Sequence, residues 1–403
     1  MGKRVIHRGD SYTITETMIG GHQAYLTASV TDKKADPTVV CNQIYREVVD
    51  ILAYDNMKIV HDRLFGSLAI RDEVVTVRKD VLSEFHSHQH LPFTYIQGRP
   101  CWGEGFAGIQ LRAIDPVKTG DEVWTIYHKD TPVGRGWQKN GTTYLMLQNI
   151  HGIPVDGDKT EDRSEQVKRM FERAEALLVE RGASYLNVLR TWIYLKDILD
   201  WYDDFNVVRN KKYREFRLIP TEDKTLAAET IYLPASTGIL GENPLDAAAV
   251  MDVLAVIPGS SNNIMIKHDT GLRQNSPFRY GSAFSRATHI RENDITHIML
   301  SGTAAIDEAG KSLYRGDARR QIQKTLEVIA ALVENGGAAM TDICEATVFL
   351  KHPEDVTIYQ EVMQEWGLEN IPSVIVVADI CRKELLFELD AVVALSNRNL
   401  VEK

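Results

Sequence analysis

The chain has 403 residues, of which 44% are hydrophobic and 25% charged, enough for two or three well-filled domains and too apolar for a disordered chain. Its net charge of −10 argues against a nucleic-acid surface, which needs a clustered basic face. The longest apolar runs, such as Ile371 to Ala378, fall far short of the roughly 18 to 20 residues that span a bilayer, and Met1 to His7 hold no apolar signal core, so a cytoplasmic protein with no membrane partner is expected.

The first segment opens on a strand-like run at Gln23 to Ala28 and passes into a helical pattern, Asn42-Gln43-Ile44-Tyr45 onward to Leu52. A β-type run, Val60 to Leu68, follows, then a second helix that is short and poorly defined. Next comes Phe85-His86-Ser87-His88-Gln89-His90. Three imidazoles two apart share one face of a strand, as some metal sites require. No second His pair accompanies them, and the segment reads as a solvent-facing turn before Leu91-Pro92; no metal is expected. A strand-loop-strand unit, Thr94 to Ala113, closes the segment.

The same order returns twice. In the second copy, Tyr144 to Asn149 leads to a helix around Gln166, ended by Arg181-Gly182-Ala183, then to the strand Val188 to Leu195, a helix Ile198 to Phe216 and a closing unit from Ser236 to Ala255. In the third, His297 to Gly302 leads to a helix around Gln321. Its Ala318, Ile322, Leu326, Ile329 and Val333 recur at intervals of three and four, which makes one apolar stripe. Gly336-Gly337 supplies the left-handed stop. Then come the strand Glu345 to Leu350, a helix Pro353 to Trp366 and the closing unit Ser373 to Ala391. The fold expected is therefore α+β, with repeats over 1–115 (divergent), 116–258 and 259–403. Each unit leaves one sheet face bare, so three copies bury those faces together in a pseudo-trimer with a barrel-like core. Four scattered cysteines, Cys41, Cys101, Cys344 and Cys381, point to neither a disulfide framework nor a zinc site. The basic cluster Arg209, Lys211, Lys212 and Arg214 reads as a solvated helix face, or as one that turns a cation inward to hold a carboxylate.

The third copy, from Ser301-Gly302-Thr303-Ala304-Ala305-Ile306-Asp307 through Gly316-Asp317, Gln321 and Ala346-Thr347-Val348-Phe349-Leu350-Lys351 to Glu388-Leu389-Asp390-Ala391, resembles the Rid superfamily, the YjgF-type enamine and imine deaminases. That resemblance implies barrel-like trimers with clefts between units. It also implies a carboxylate-binding Arg just before the penultimate strand, where this chain has Thr94, Ser236 and Pro372-Ser373. A site without that bidentate cation loses its strongest contact.

From about residue 140 onward the chain is more similar to the chorismatases, Rid-fold enzymes that cleave the enol-pyruvyl ether of chorismate. The segments that carry this are Arg190 to Leu195, Trp201 to Asn210, Leu233 to Ile239, Tyr280 to Ala287, Ser301 to Ile306, Gly316-Asp317 and Cys381 to Glu388. The resemblance implies catalytic positions at Glu388 and Cys381, seven residues apart as in that family, and no cofactor. Substrate contacts are expected from Arg190, Arg209 and Arg286, since two carboxylates need at least two inward cations, from Tyr213 and Tyr280 as hydroxyl donors, and from Ser301 and Gly302. A partly protonated carboxylic acid suits the first step, protonation of the enol-ether methylene. Two other readings stand beside a chorismatase-like enzyme: a Rid-type deaminase or hydrolase with a rearranged cation, and a non-catalytic binder of a small anionic metabolite. Whether the chain is a monomer or a higher oligomer is left open.

Overall fold

A computed structural model describes residues 2–85, 90–119, 122–154, 162–219, 232–260, 264–269 and 283–397. The first repeat runs β1 (Lys3–Arg8), β2 (Tyr12–Ile19), β3 (Gln23–Val30), α1 (Pro37–Tyr54), β4 (Lys58–Gly66), α2 (Arg71–Ser83), β5 (Thr94–Gln97) and β6 (Phe106–Ile114), with a single turn α3 (Pro116–Thr119) leading out. The second has β7 (Val123–His128), β8 (Thr131–Lys139), β9 (Thr142–His151), α4 (Arg163–Val179), β10 (Val188–Leu195), α5 (Ile198–Glu215), β11 (Ala235–Leu240) and β12 (Ala249–Ile257). The third has β13 (Ile264–Asp269), β14 (Ala287–Glu292), β15 (Ile295–Ala304), α6 (Ala318–Asn335), β16 (Ile343–Leu350), α7 (Val356–Glu365), β17 (Ser373–Val377) and β18 (Phe387–Ser396).

Each repeat builds one six-stranded sheet of the same order, β1-β2-β3-β6-β4-β5 in the first and its equivalents in the others. Only the pair β4·β5, with its counterparts β10·β11 and β16·β17, is parallel in these ladders. A helix makes each parallel crossover, as such a connection requires. The second helix of the first repeat is a full 13-residue element, longer and better formed than its sequence pattern indicated. Asp36, Asp162 and Asp317 each stand at the N-cap of a first helix. Four residues on, Gln166 and Gln321 are buried and accept from the backbone N–H of Ala248 and Leu386. The matching residue of the first repeat is Val40; Gln43 lies a turn further along on an exposed face.

The two faces of each sheet have separate duties. On β18 the side chains of Phe387, Leu389, Ala391 and Val393 pack toward α6 and α7, while Val392 and Ala394 enter a core shared by all three sheets and no helix. The equivalent outer cores back the first and second sheets. The barrel-like core expected from sequence is not a closed barrel. The sheets stay open and meet through their inner side chains and a cyclic set of backbone bonds. Gln97 N–H donates to the Glu242 carbonyl (2.9 Å), Leu240 N–H to that of Asp379 (3.1 Å) and Val377 N–H to that of Arg99 (2.9 Å). Each bond joins one repeat to the next, and the three together mark a pseudo-threefold axis.

Candidate active site

Every joint between repeats places one polar residue of a last strand against the neighbouring sheet. Between the second and third repeats it is Asp390, which accepts from Arg190 Nη2 (3.1 Å) and Thr237 Oγ1 (2.7 Å). Between the first and second it is Asp252, held by His61 (2.9 Å), Thr94 Oγ1 (2.5 Å) and the Asn149 N–H (2.8 Å). Between the third and first the place belongs to Gln110, which donates to the Ala346 carbonyl (2.7 Å) and accepts from Thr347 (3.2 Å). Side chains alternate along a strand, so the residue two before each of these faces the same joint. Those residues are Glu388 and Val250; in the first repeat, where the ladder slips between Phe65 and Gly66, the place falls to Ala107. Only the second–third joint carries an acid there.

Glu388 lies at the base of a cleft that counts Arg209, Arg286, Gly302, Phe284, Cys381 and Arg382 among its walls. It is 5% exposed, and its carboxyl has no hydrogen-bond partner among the described residues. One oxygen rests on Gly302, where a Cβ would stand 2.1 Å from it. Burial, followed by the negative charge of Asp390, pushes Glu388 up to about 8, against the opposite pull of Arg286 and Arg190. Near pH 7 the group is mostly a neutral acid, poised to donate. The Cys381 thiol is pushed up to about 12, first by burial and then by Glu388. It stays protonated at neutral pH, unlike an attacking thiolate.

The cations reach the cleft from two repeats. In α5 the buried positions Ile198, Trp201, Phe205, Asn206, Arg209, Lys212 and Tyr213 follow helical spacing, which carries Arg209 inward. The basic cluster therefore divides. Lys211 and Arg214 are exposed, Lys212 pairs with Glu172 and Glu215, and Arg209 is 1% exposed with no carboxylate partner among the described residues. Its guanidinium donates to Asn206 (2.5 Å) and lies 5.7 Å from the Phe284 ring centre. The guanidinium of Arg286 is 5.5 Å from that same ring, so two cations flank one apolar plate beside the acid.

Five residues expected from sequence thus meet: Glu388, Cys381, Arg209, Arg286 and Gly302. Others stand elsewhere. Arg190 is fully buried behind the cleft and committed to Asp390 and Thr237 (2.6 Å), because its strand faces the acidic residue of another repeat. Tyr213 packs in the outer core of the second repeat against Phe171 and Tyr185. Ser301 binds backbone, donating to the Ser285 carbonyl (2.5 Å) and accepting from Ser236 N–H (2.8 Å). Tyr280, His86 and His88 lie outside the described residues, and His90 sits exposed in a turn at φ 55°. Reasoning from sequence missed Phe284, Thr237, Arg382 and Asp390. The alternation Glu388-Leu389-Asp390 was a usable signal for the last.

Comparison with known proteins gives four findings. A family model described as endoribonuclease L-PSP matches residues 281–395. A 3-hydroxybenzoate synthase of Streptomyces hygroscopicus is 26% identical over 322 residues, which cover 73% of this chain and 87% of that protein. A RutC family protein of Pyrococcus abyssi is 31% identical over 97 residues, covering 24% of this chain and 76% of that protein. Among solved structures, a chorismatase crystal structure superposes with a TM-score of 0.55 at 18% identity, over 83% of this chain and 93% of its own, which establishes a shared fold. With an L-PSP match on its third repeat, a RutC relative at that identity and a chorismatase fold across most of its length, the chain belongs to the Rid superfamily.

Proposed function

We propose that this protein cleaves the enol-pyruvyl ether of chorismate, or of a closely related small anionic metabolite, by acid catalysis, with pyruvate as one product. The observation that carries the reading is Glu388: a carboxyl raised to about 8 at the base of a cleft walled by Arg209 and Arg286. A 3-hydroxybenzoate synthase and a chorismatase among the relatives support the substrate class.

In this reading the two guanidiniums each hold one substrate carboxylate, and the enol-ether methylene comes to rest against Glu388. The acid gives its proton to that carbon, and the positive charge that develops on the ether carbon is shared with the ether oxygen. Capture of that carbon, by water or by a group of the ring itself, leads to rupture of the bond between ring and side chain and frees pyruvate. Where water is the nucleophile, its oxygen becomes the pyruvate carbonyl, one of its protons returns to Glu388 and the other leaves on the ring hydroxyl. Cys381, a neutral thiol, helps keep the acid dry. Arg190 positions Asp390, whose charge in turn helps keep the proton on Glu388.

The enclosed space is about 50 Å³, room for a few waters and not for a ring, so substrate entry displaces side chains at the mouth, with Arg382 and Phe284 at hand to move. The test is a coupled assay for pyruvate release from chorismate, with Glu388→Gln beside the native protein. Turnover in the native chain and a loss of at least a hundredfold in the variant are expected. A native chain that releases no pyruvate sinks the proposal.

A further inference from the structure

The third–first joint holds a far roomier cleft, about 580 Å³, within the range of sites that take small molecules. Its floor is a strip of the first sheet whose register sets two rows side by side. Arg8 pairs with Thr13 and Thr13 with Ser29; Ile6 pairs with Thr15 and Thr15 with Thr27. All six line the cleft, and α7 and β17 of the third repeat close it from the other side. Thr27 is 2% exposed, and its hydroxyl has no hydrogen-bond partner among the described residues. A buried hydroxyl without a partner is unfavourable, and such a group aimed into a cleft is satisfied when a ligand supplies one. At the rim stand Arg8 and Lys33, both exposed and neither in an ion pair among the described residues, and the indole of Trp102, 36% exposed.

This cleft is the pseudo-threefold counterpart of the one at Glu388, with Ala107, which lines it, in the place of the acid. The methyl group of Ala107 carries no proton to give, so this cleft has no acid where the other has Glu388. We infer that the third–first cleft is a second, non-catalytic binding site for a small hydroxylated carboxylate. The carboxylate meets Arg8 and Lys33, the ligand hydroxyls meet the threonine rows, and an apolar face lies on Trp102. This inference does not depend on the reaction proposed for the other cleft.

Shikimate, a ring with one carboxylate and three hydroxyls, serves as probe, and cyclohexanecarboxylate as the control without hydroxyls. Calorimetric titration into the full chain is done on the native protein and on Thr27→Val, Arg8→Ala/Lys33→Ala and Arg209→Ala. Shikimate is expected to bind the native and Arg209→Ala proteins alike, about tenfold more weakly to Thr27→Val, and not measurably to the double variant. Cyclohexanecarboxylate is expected to bind the native protein at least tenfold more weakly than shikimate. Thr27→Val removes a hydroxyl that bonds to nothing among the described residues, so its Tm is expected to equal or exceed the native one, which separates lost recognition from lost folding. Absence of shikimate binding at millimolar concentration overturns the inference, as does binding that disappears in Arg209→Ala or is unchanged in both Thr27→Val and the double variant.

Discussion

Glu388 owes its proton to three neighbours at once: the apolar wall that removes water, the charge of Asp390 behind it, and Gly302, whose missing side chain leaves room for the carboxyl. The acid form is the active one under the proposed mechanism, so pyruvate release is expected to hold steady at lower pH and to fall as pH rises through about 8. A rate that climbs through that range would remove Glu388 as the donor. The same shift bears on folding. The carboxyl titrates at about 8 in the folded protein against an ordinary 4.5. Below about 4.5 both states hold the proton and its favourable contribution to stability is fully present. Between 4.5 and 8 the unfolded chain gives the proton up first, and the contribution is lost as pH rises. Glu388→Gln stays neutral throughout, so its advantage in Tm over the native chain is expected to widen from pH 5 to pH 8. The sequence made Glu388 and the inward turn of Arg209 legible, because each depends on spacing within its own strand or helix. It could not show that Arg190 is spent on Asp390, for those residues are 200 positions apart and meet only when the second and third sheets pack.

Among the elements, the irregular step in β15 governs the site. The ladder with β18 loses register between Leu300 and Thr303, which turns the Gly302 N–H toward Thr237 Oγ1 (3.1 Å). Bulges of this kind re-aim a strand next to a functional group. A matching shift in β9 opposite Asp252 turns the Asn149 N–H onto that carboxylate. Gly302→Ala puts a methyl group into the space that the Glu388 carboxyl occupies. We expect it to lower kcat at least tenfold while leaving the far-ultraviolet circular dichroism and the cooperativity of unfolding intact. A variant with native kcat would show that the acid has slack to move. Helices and the inner strands were readable from periodicity, and the closing strand pairs from their alternation, whereas the two outer strands that open each sheet, β1, β2, β7, β8, β13 and β14, were not read. Nor was the bulge, since nothing in Ser301-Gly302-Thr303 distinguishes a shifted ladder from a regular one until Asp390 is seen opposite. The glutamine rhythm misled in the first repeat for a related reason: Gln166 and Gln321 bind the backbone before the last strand, and the equivalent Val40 fills that place with packing alone.

At the scale of the molecule, buried polar pairs and three backbone bonds fix the order of the repeats. Arg63 with Glu345, His61 with Asp252 and Arg190 with Asp390 each tie a different pair of units. Exchanging any two sheets would leave buried polar or charged groups unmatched, which is costly. The chain is therefore expected to unfold in one calorimetric transition. Val377→Pro removes the N–H that bonds the Arg99 carbonyl and is expected to lower stability by roughly 1 to 3 kcal/mol without splitting the transition. Separate transitions in the native protein would mean that the joints are weaker than the buried pairs imply. The three joints also differ in a way that a ring of identical subunits does not permit. When one gene encodes three separate but equal chains, any substitution at a cleft is copied into all of them. Here the positions of Glu388, Val250 and Ala107 are independent letters of one sequence, so an acid gained in one cleft leaves the other two unchanged. Selection can sharpen a single reactive cleft, fill a second with valine, and hold the third open for another use.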